Sequence, residues 1–198
     1  MKIAMAAAAV YVCVLVFAAP VLVSAGAQAV ADTGAIDDRP KLSPGVMRRL
    51  ERATWVRDVH TNPNARAVYV FADPECGYCN RLWKSIGAST THGAEVRYLL
   101  VGVITPNSIP KAAAILQSAN PSEALAKHES GFANGGITPA STISDATSEE
   151  LTINASLMDA LGIQATPAIV YEDGKGDAHV FYGLPSADEL QQILSPKR

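Results

Sequence analysis

Two cysteines, Cys76 and Cys79, are separated by two residues at the point where a buried strand gives way to an amphipathic helix. The run at residues 67–72 is β-rich and apolar throughout, as expected of a strand that is covered on both faces. After the cysteines, Leu82 and Ile86 recur on one face of a helix. The sequence therefore predicts that Cys76 lies at or near a helix N-terminus, with Cys79 on the same turn.

This position favours thiol–disulfide exchange. The positive end of a helix dipole stabilises a thiolate, which is the nucleophilic form of cysteine. Cys79 is close enough to form a disulfide with Cys76 and expel a bound partner. A zinc site is disfavoured because the 4 histidines show no paired ligand spacing. A purely structural disulfide is the other alternative, although so short a loop constrains the unfolded chain little.

Two other features bear on this pair of thiols. The Glu75 carboxylate would oppose the helix field at Cys76 and raise the thiol pKa. We interpret Glu75 instead as a solvated acid of the first helical turn, which stabilises the helix. The Thr166-Pro167 dipeptide precedes a strand, so the proline either only starts that strand or forms a cis bond that exposes the Thr166 backbone to an extended peptide. The residues alone leave both readings open.

The N-terminus has the pattern of a secretory signal. Lys2 precedes an uncharged apolar run from Ile3 to Val23, and Ala27-Gln28-Ala29 supplies a small-x-small cleavage site. We predict a signal peptide over residues 1–29. An uncleaved membrane anchor is the alternative, because the apolar run approaches the length of a membrane span.

Composition excludes further classes of protein. Cleavage of the signal would remove Cys13, so that of 3 cysteines only Cys76 and Cys79 remain, which excludes a disulfide-rich scaffold. A formal charge of -3 gives no indication of a nucleic acid or anionic lipid partner. Export to an oxidising compartment makes the periplasm the expected location.

The mature chain is expected to form one domain. Residues 30–42 indicate a mobile leader, and residues 43–66 a helix that starts at Ser43-Pro44 and runs to Val59, followed by a turn. Residues 67–198 then follow the order strand, helix, strand, helical block, hairpin and helix, which indicates an α/β fold. The hairpin turn is predicted at residues 173–176, and Ser186 with Glu189 forms the capping box of the last helix.

Four segments resemble, in order, the catalytic domain of the DsbC/DsbG family of periplasmic thiol:disulfide interchange proteins, and they are most similar to its DsbG members. These segments are VYVFADPECGYCNRLW, LLVGVITPNSIPKAAAIL, LMDALGIQATPAIVY and GLPSADEL. The resemblance covers most of residues 47–194. It implies a thioredoxin-like fold with a helical insertion at about residues 110–161.

The resemblance also implies the roles of the site residues. Cys76 corresponds to an exposed attacking cysteine and Cys79 to a buried resolving one. Thr166 and Pro167 correspond to a cis-proline loop that binds substrate, and the other substrate-binding positions are Gly77 and Tyr78. No metal and no cofactor are expected beyond the redox-active Cys76/Cys79 disulfide.

This sequence departs from the family in three ways. Val70 replaces the buried acid of thioredoxin, which leaves water or Asp73 as the expected proton acceptor for Cys79. Gly77-Tyr78 is a DsbC-like rather than a DsbG-like dipeptide, so the redox potential cannot be taken from the resemblance to DsbG. Residues 30–45 are too few to form the family's dimerisation domain, so we expect a monomer in which the helix before Val59 packs on its own domain.

The function implied is a periplasmic oxidoreductase of the reductase or isomerase type. Its expected partners are unfolded or misoxidised secreted proteins and a membrane thiol reductase of the DsbD type, which would keep the cysteines reduced. The alternatives are a substrate-holding chaperone or binding module with an incidental cysteine pair, and a DsbA-like oxidant.

Overall fold

The computed structural model describes residues 39, 41–89 and 93–195. The prediction of a signal peptide over residues 1–29, and most of the leader predicted over residues 30–42, lie outside these residues. The described part of the chain contains both strands and helices, consistent with the α/β prediction. In chain order they are α1 Val46–Glu51, β1 Val56–Arg57, β2 Arg66–Ala72, α2 Gly77–Ala88, β3 Ala94–Leu100, α3 Ser108–Leu116, α4 Pro121–Ser130, α5 Asp145–Ala160, β4 Ala168–Glu172, β5 Ala178–Tyr182 and α6 Ala187–Leu194.

The strands form one mixed sheet in the order β1-β3-β2-β4-β5. The central strand β2 runs parallel to β3, with Val70 opposite Tyr98, and antiparallel to β4, with Val70 opposite Ile169. Strands β1 and β5 are antiparallel to their neighbours at the two edges. The β4–β5 hairpin turns at Asp173, whose carboxylate accepts hydrogen bonds from the backbone N–H of Lys175 and Asp177, as its turn sequence predicted.

Helices cover both faces of the sheet. On one face, Val70 and Tyr98 belong to a cluster with Leu82 of α2 and Ile193 of α6. On the other face, Phe71 belongs to a second cluster, with residues of α1 and α5 that include Leu50 and Met158. The prediction that β2 is covered on both faces is therefore confirmed. The predicted capping box at the start of α6 is also present.

Three helices, α3 to α5, lie between β3 and β4, where the sequence predicted a helical insertion. They contribute Ala112, Leu125 and Leu151 to the same cluster that contains Cys76 and Cys79. The insertion therefore forms part of the wall around the cysteines. Within the described ranges, no helix is long and apolar enough to cross a membrane.

The helix predicted from Ser43 to Val59 is wrong in its extent. Gly45, at a φ of 84°, precedes the first helical residue, so α1 begins only at Val46 and ends at Glu51. Val56 instead pairs with β3 opposite Tyr98, and Asp58 N–H donates to Val96 O at 2.9 Å. Leu50 is fully buried in this domain, so the prediction that the helix packs on its own domain is confirmed.

The end of the predicted leader is also more ordered than the sequence indicated. Lys41 forms a bridge with His179 of β5, and Leu42 N–H donates to Ala178 O at 2.7 Å. These two residues therefore extend the sheet edge rather than belonging to a mobile segment.

Candidate functional site

The site is built around Cys76, the residue that caps the N-terminus of α2. Its backbone is extended, with a φ of -86° and a ψ of 108°, and its Sγ accepts a hydrogen bond from Cys79 N–H at 3.3 Å. A side-chain acceptor at this position satisfies an N–H group that the helix leaves unpaired. The Cys76 Sγ also lies 3.3 Å from Thr166 O. Both Cys76 and Cys79 are free thiols.

Cys76 is less accessible than the resemblance implied. Only 4% of Cys76 is exposed, against 1% of Cys79. The expectation of an exposed attacking cysteine is therefore wrong for this conformation. The reason is that the sulfur points inward, toward the Cys79 N–H and the Thr166 carbonyl.

The pKa values of the two thiols are shifted in opposite directions. The pKa of Cys76 is lowered to about 6, first because the Cys79 thiol can donate a hydrogen bond to the Cys76 thiolate, with further donors at the backbone of Cys79 and Tyr78, although burial opposes this shift. The pKa of Cys79 is raised, first by burial and then by the nearby Cys76. Cys76 is therefore a thiolate at neutral pH, whereas Cys79 remains protonated.

The predicted substrate-binding residues lie around Cys76. The Thr166–Pro167 bond is cis, as the resemblance implied, and the Thr166 carbonyl lies beside the Cys76 sulfur. Pro167 O accepts a hydrogen bond from Gly183 N–H at 2.9 Å, which ties this loop to the end of β5. Tyr78 is 59% exposed, and a side chain at Gly77 would meet no atom within 4 Å. The substrate-binding roles of these residues remain predictions.

Asp73 holds the loop that follows β3. One carboxylate oxygen accepts a hydrogen bond from Glu75 N–H at 2.8 Å, and the other accepts from Val103 and Ile104 N–H at 2.7 and 3.0 Å. The apolar run at residues 96–104 would suit a strand throughout, but β3 is shorter. It ends at Leu100, and the N–H groups of Val103 and Ile104 bond the Asp73 carboxylate instead of a neighbouring strand. Both carboxylate oxygens of Asp73 are thus already engaged, which disfavours its predicted role as the proton acceptor for Cys79.

Glu75 is not the solvated first-turn acid that the sequence indicated. It precedes the N-cap of α2, and its carboxylate forms an ion pair with Lys111 of α3. The Lys111 ammonium also donates to Gly135 O at 2.8 Å, and Lys111 is 8% exposed. The charge next to Cys76 is therefore paired with a buried cation from the helical insertion.

Sequence reasoning missed three residues of the insertion that contact the site: Lys111, His128 and Glu129. The His128 ring bonds Pro74 O at 2.8 Å. The Glu129 carboxylate accepts a hydrogen bond from Asn80, the residue after Cys79, at 2.7 Å. Their only signal in the sequence was polar character within a helical block, which normally indicates an exposed face.

Exposed apolar side chains lie on loops that are tied to residues of the site. Val103 and Ile104 are 54% and 49% exposed, on the loop that Asp73 holds. Leu184 is 37% exposed and follows Gly183, which is bonded to Pro167. Together with Tyr78, we call these four residues the apolar rim.

The comparisons with known proteins agree with this architecture. The chain is 33% identical over 157 residues to the thiol:disulfide interchange protein DsbG of Pseudomonas aeruginosa, covering 79% of this chain and 61% of that protein. It is 35% identical over 154 residues to DsbG of Escherichia coli, covering 76% of this chain and 60% of that protein. The resemblance to DsbG is thus confirmed, and the chain spans about 60% of the length of these relatives.

Solved structures share the fold. A periplasmic thioredoxin-like protein from Salmonella enterica serovar Typhimurium superposes with a TM-score of 0.60 at 19% identity, covering 78% of this chain and 97% of that one. The catalytic domain of Proteus mirabilis ScsC gives a TM-score of 0.59 at 20% identity, covering 75% and 92%. A family described as the thioredoxin-like domain matches residues 58–196. The expected fold is therefore confirmed: the chain belongs to the family of thioredoxin-like domains.

Proposed function

We propose that the protein exchanges disulfides with protein substrates in the periplasm. The observation that carries this proposal is the pair of unequal thiols at the N-terminus of α2, with a thiolate at Cys76 and a buried, protonated Cys79. Cys76 attacks one sulfur of a substrate disulfide and expels the other as a thiolate. Cys79 then attacks Cys76 and releases the substrate as a dithiol, so that two electrons pass to the substrate.

Protein substrates are favoured over small thiols because of the surroundings of Cys76. The apolar rim offers exposed Val103, Ile104 and Leu184 to apolar segments, which unfolded chains expose and folded proteins bury. The Thr166 loop lies beside the attacking sulfur, where an extended peptide could pair with it. Unfolded or misoxidised secreted proteins offer both exposed apolar segments and extended backbone.

We propose that the cysteines are kept reduced in the cell, by a membrane thiol reductase of the DsbD type. A Cys76 pKa of about 6 lies between those of the attacking cysteines of thioredoxin, about 7, and of DsbA, about 3.5. Since thiolate stabilisation makes a disulfide more oxidising, we expect a potential between about -270 and about -120 mV. Equilibration of the protein with glutathione measures it. A value at the DsbA end would support the DsbA-like oxidant instead.

Reduction of insulin by dithiothreitol tests the exchange reaction. The wild type should accelerate it, Cys76→Ser should abolish the acceleration, and Cys79→Ser should accumulate a mixed disulfide with the substrate. Full activity in Cys76→Ser would reject the assignment of the nucleophile. If the wild type is inactive but both it and Cys76→Ser suppress the aggregation of an unfolded protein, the alternative of a substrate-holding chaperone is correct.

A further inference from the structure

The exposed face of α2 carries a guanidinium that the exchange reaction does not use. Arg81 is exposed, and its Cζ lies over the Tyr78 ring, 5.2 Å from the ring centre. The electrons of an aromatic face attract a cation in this position. Tyr78 and Arg81 are three positions apart, so their side chains are neighbours on one face of the helix. The Tyr78 ring therefore orients the Arg81 side chain.

The charge of Arg81 has no acidic partner among the residues that the structure describes. None of their ion pairs includes Arg81, and α2 contains no aspartate or glutamate. The two acids just before Cys76 are engaged elsewhere, because Glu75 is in an ion pair and Asp73 accepts hydrogen bonds from the backbone. Arg81 is thus available to a carboxylate that comes from outside the protein.

Tyr78 links this charge to the attacking sulfur. Its backbone N–H is one of the groups that lower the pKa of Cys76, and its side chain is 59% exposed. The five positions from Cys76 to Arg81 correspond to about 7.5 Å along the helix axis. An extended chain advances about 3.3 Å per residue. A substrate that is bonded to Cys76 therefore covers this distance with two or three residues.

We propose, on the basis of the exchange function above, that Arg81 selects protein substrates with an acidic residue two or three positions from the reactive cysteine. A planar guanidinium and a carboxylate form two parallel hydrogen bonds, which a lysine cannot reproduce. Arg81 acts on the choice of substrate and takes no part in the exchange of sulfur bonds. It is therefore a residue of specificity, in addition to the apolar rim.

The charge of the whole protein does not produce this preference. The formal charge is -3 at pH 7, so the average field of the protein repels an acidic substrate. A preference for acidic peptides must then come from a local cation. Lys84, the other cation of α2, lies about one helical turn farther from Cys76 than Arg81 does.

Peptides that carry their single cysteine as a 2-pyridyl disulfide measure the preference. Cys76 attacks the peptide sulfur and expels the uncharged thiopyridone, whose absorbance gives the rate. Cys79 then loses its proton to water, bonds Cys76 and releases the peptide thiol. We compare peptides with Glu, Gln or Lys two or three positions from the cysteine, on either side. At low salt the Glu peptide should react about two- to fivefold faster than the Gln peptide, as expected of an exposed ion pair, and high salt should remove the difference.

Three variants connect the preference to Arg81. Arg81→Gln should bring the rate ratio of the Glu and Gln peptides close to one, and Arg81→Glu should favour the Lys peptide instead. Arg52→Gln removes an exposed guanidinium at the end of α1 and should keep the wild-type ratio. The proposal is overturned if the wild type does not distinguish the Glu and Gln peptides, or if Arg52→Gln lowers the ratio as much as Arg81→Gln.

A second measurement gives the preference without turnover. Cys79→Ser traps the mixed disulfide between Cys76 and a peptide, and mass spectrometry measures the adducts from an equimolar mixture of the Glu and Gln peptides. An excess of the Glu adduct that disappears in Cys79→Ser/Arg81→Gln supports the proposal, whereas equal adducts in both proteins overturn it. If the wild type releases no thiopyridone from any peptide, the exchange function is wrong and this proposal is wrong with it.

Discussion

The His128 ring and the Pro74 carbonyl are joined by a hydrogen bond of 2.8 Å, which fixes the helical insertion to the turn before Cys76. The other ring nitrogen, Nδ1, accepts a hydrogen bond from Ile137 N–H at 3.0 Å. Since an amide can only donate, Nδ1 carries no proton, and the proton must be on Nε2, which donates to Pro74. His128 is therefore neutral in the native state.

This arrangement predicts a loss of stability in mild acid. Burial is the first cause that lowers the pKa of His128. The unfolded chain therefore takes up the proton first, and the contribution of the neutral ring is complete above about pH 6.5 and is lost as pH falls below it. Denaturant unfolding should show a shallower loss of the free energy of unfolding between about pH 6.5 and pH 5 in His128→Gln than in the wild type. Lys127→Gln, at an exposed position, should keep the wild-type slope, and equal slopes in all three proteins would contradict the assignment.

The acidity of Cys76 predicts selective alkylation of the reduced protein. Iodoacetamide reacts with the thiolate, so the rate at Cys76 should rise with a midpoint at about pH 6. Cys79 should stay unmodified at neutral pH because its pKa is raised. Mass spectrometry of quenched samples identifies the modified cysteine. A midpoint near that of free cysteine, or equal labelling of both residues, would show that the thiols are not differentiated.

The buried ion pair between Glu75 and Lys111 predicts a coupled effect on stability and acidity. Lys111→Met leaves an unpaired carboxylate beside Cys76. We expect a loss of about 3 kcal/mol in the free energy of unfolding and a rise in the pKa of Cys76, measured by thiolate absorbance. The double variant Glu75→Gln/Lys111→Met should recover most of the Cys76 acidity. If the single variant leaves that acidity unchanged, the ion pair has no influence on the thiol.

The apolar rim predicts a difference between protein and small substrates. Val103→Ser with Ile104→Ser removes apolar surface worth about 1 kcal/mol or more per side chain when buried. The rate of insulin reduction should therefore fall by about tenfold, and by more than the rate with dithiobis(nitrobenzoate). Ile153→Ser, an equally exposed site on α5, is the matched control. Equal changes for both substrates would show that the apolar rim takes no part in the recognition of protein substrates.

Much of the fold follows from local sequence. Ser186 and Glu189 meet within one helical turn, and the hairpin turn is closed by Asp173 on its own neighbours. These contacts join residues a few positions apart, so their chemistry is visible in the sequence. The unusually apolar β2 likewise indicated a central strand.

The contacts around the cysteines could not be predicted in this way. Lys111 meets Glu75 across 36 residues, and Glu129 meets Asn80 across 49. Charged residues at such positions usually face water, and only the packing of the insertion against α2 buries them. Asp73 shows the same limit: three backbone N–H groups from two segments determine its environment, and one of these segments had the pattern of a strand.

The contacts between the insertion and the residues around Cys76 have a consequence for protein engineering. Three side chains, Lys111, His128 and Glu129, reach the segment from Pro74 to Asn80. A graft of the Cys-Gly-Tyr-Cys tetrapeptide onto another scaffold would therefore lose these contacts, whereas the Cys79 and Tyr78 donors that lower the pKa of Cys76 would move with it. Conversely, substitutions in α3 and α4 could retune the cysteine pair while the tetrapeptide itself stays unaltered.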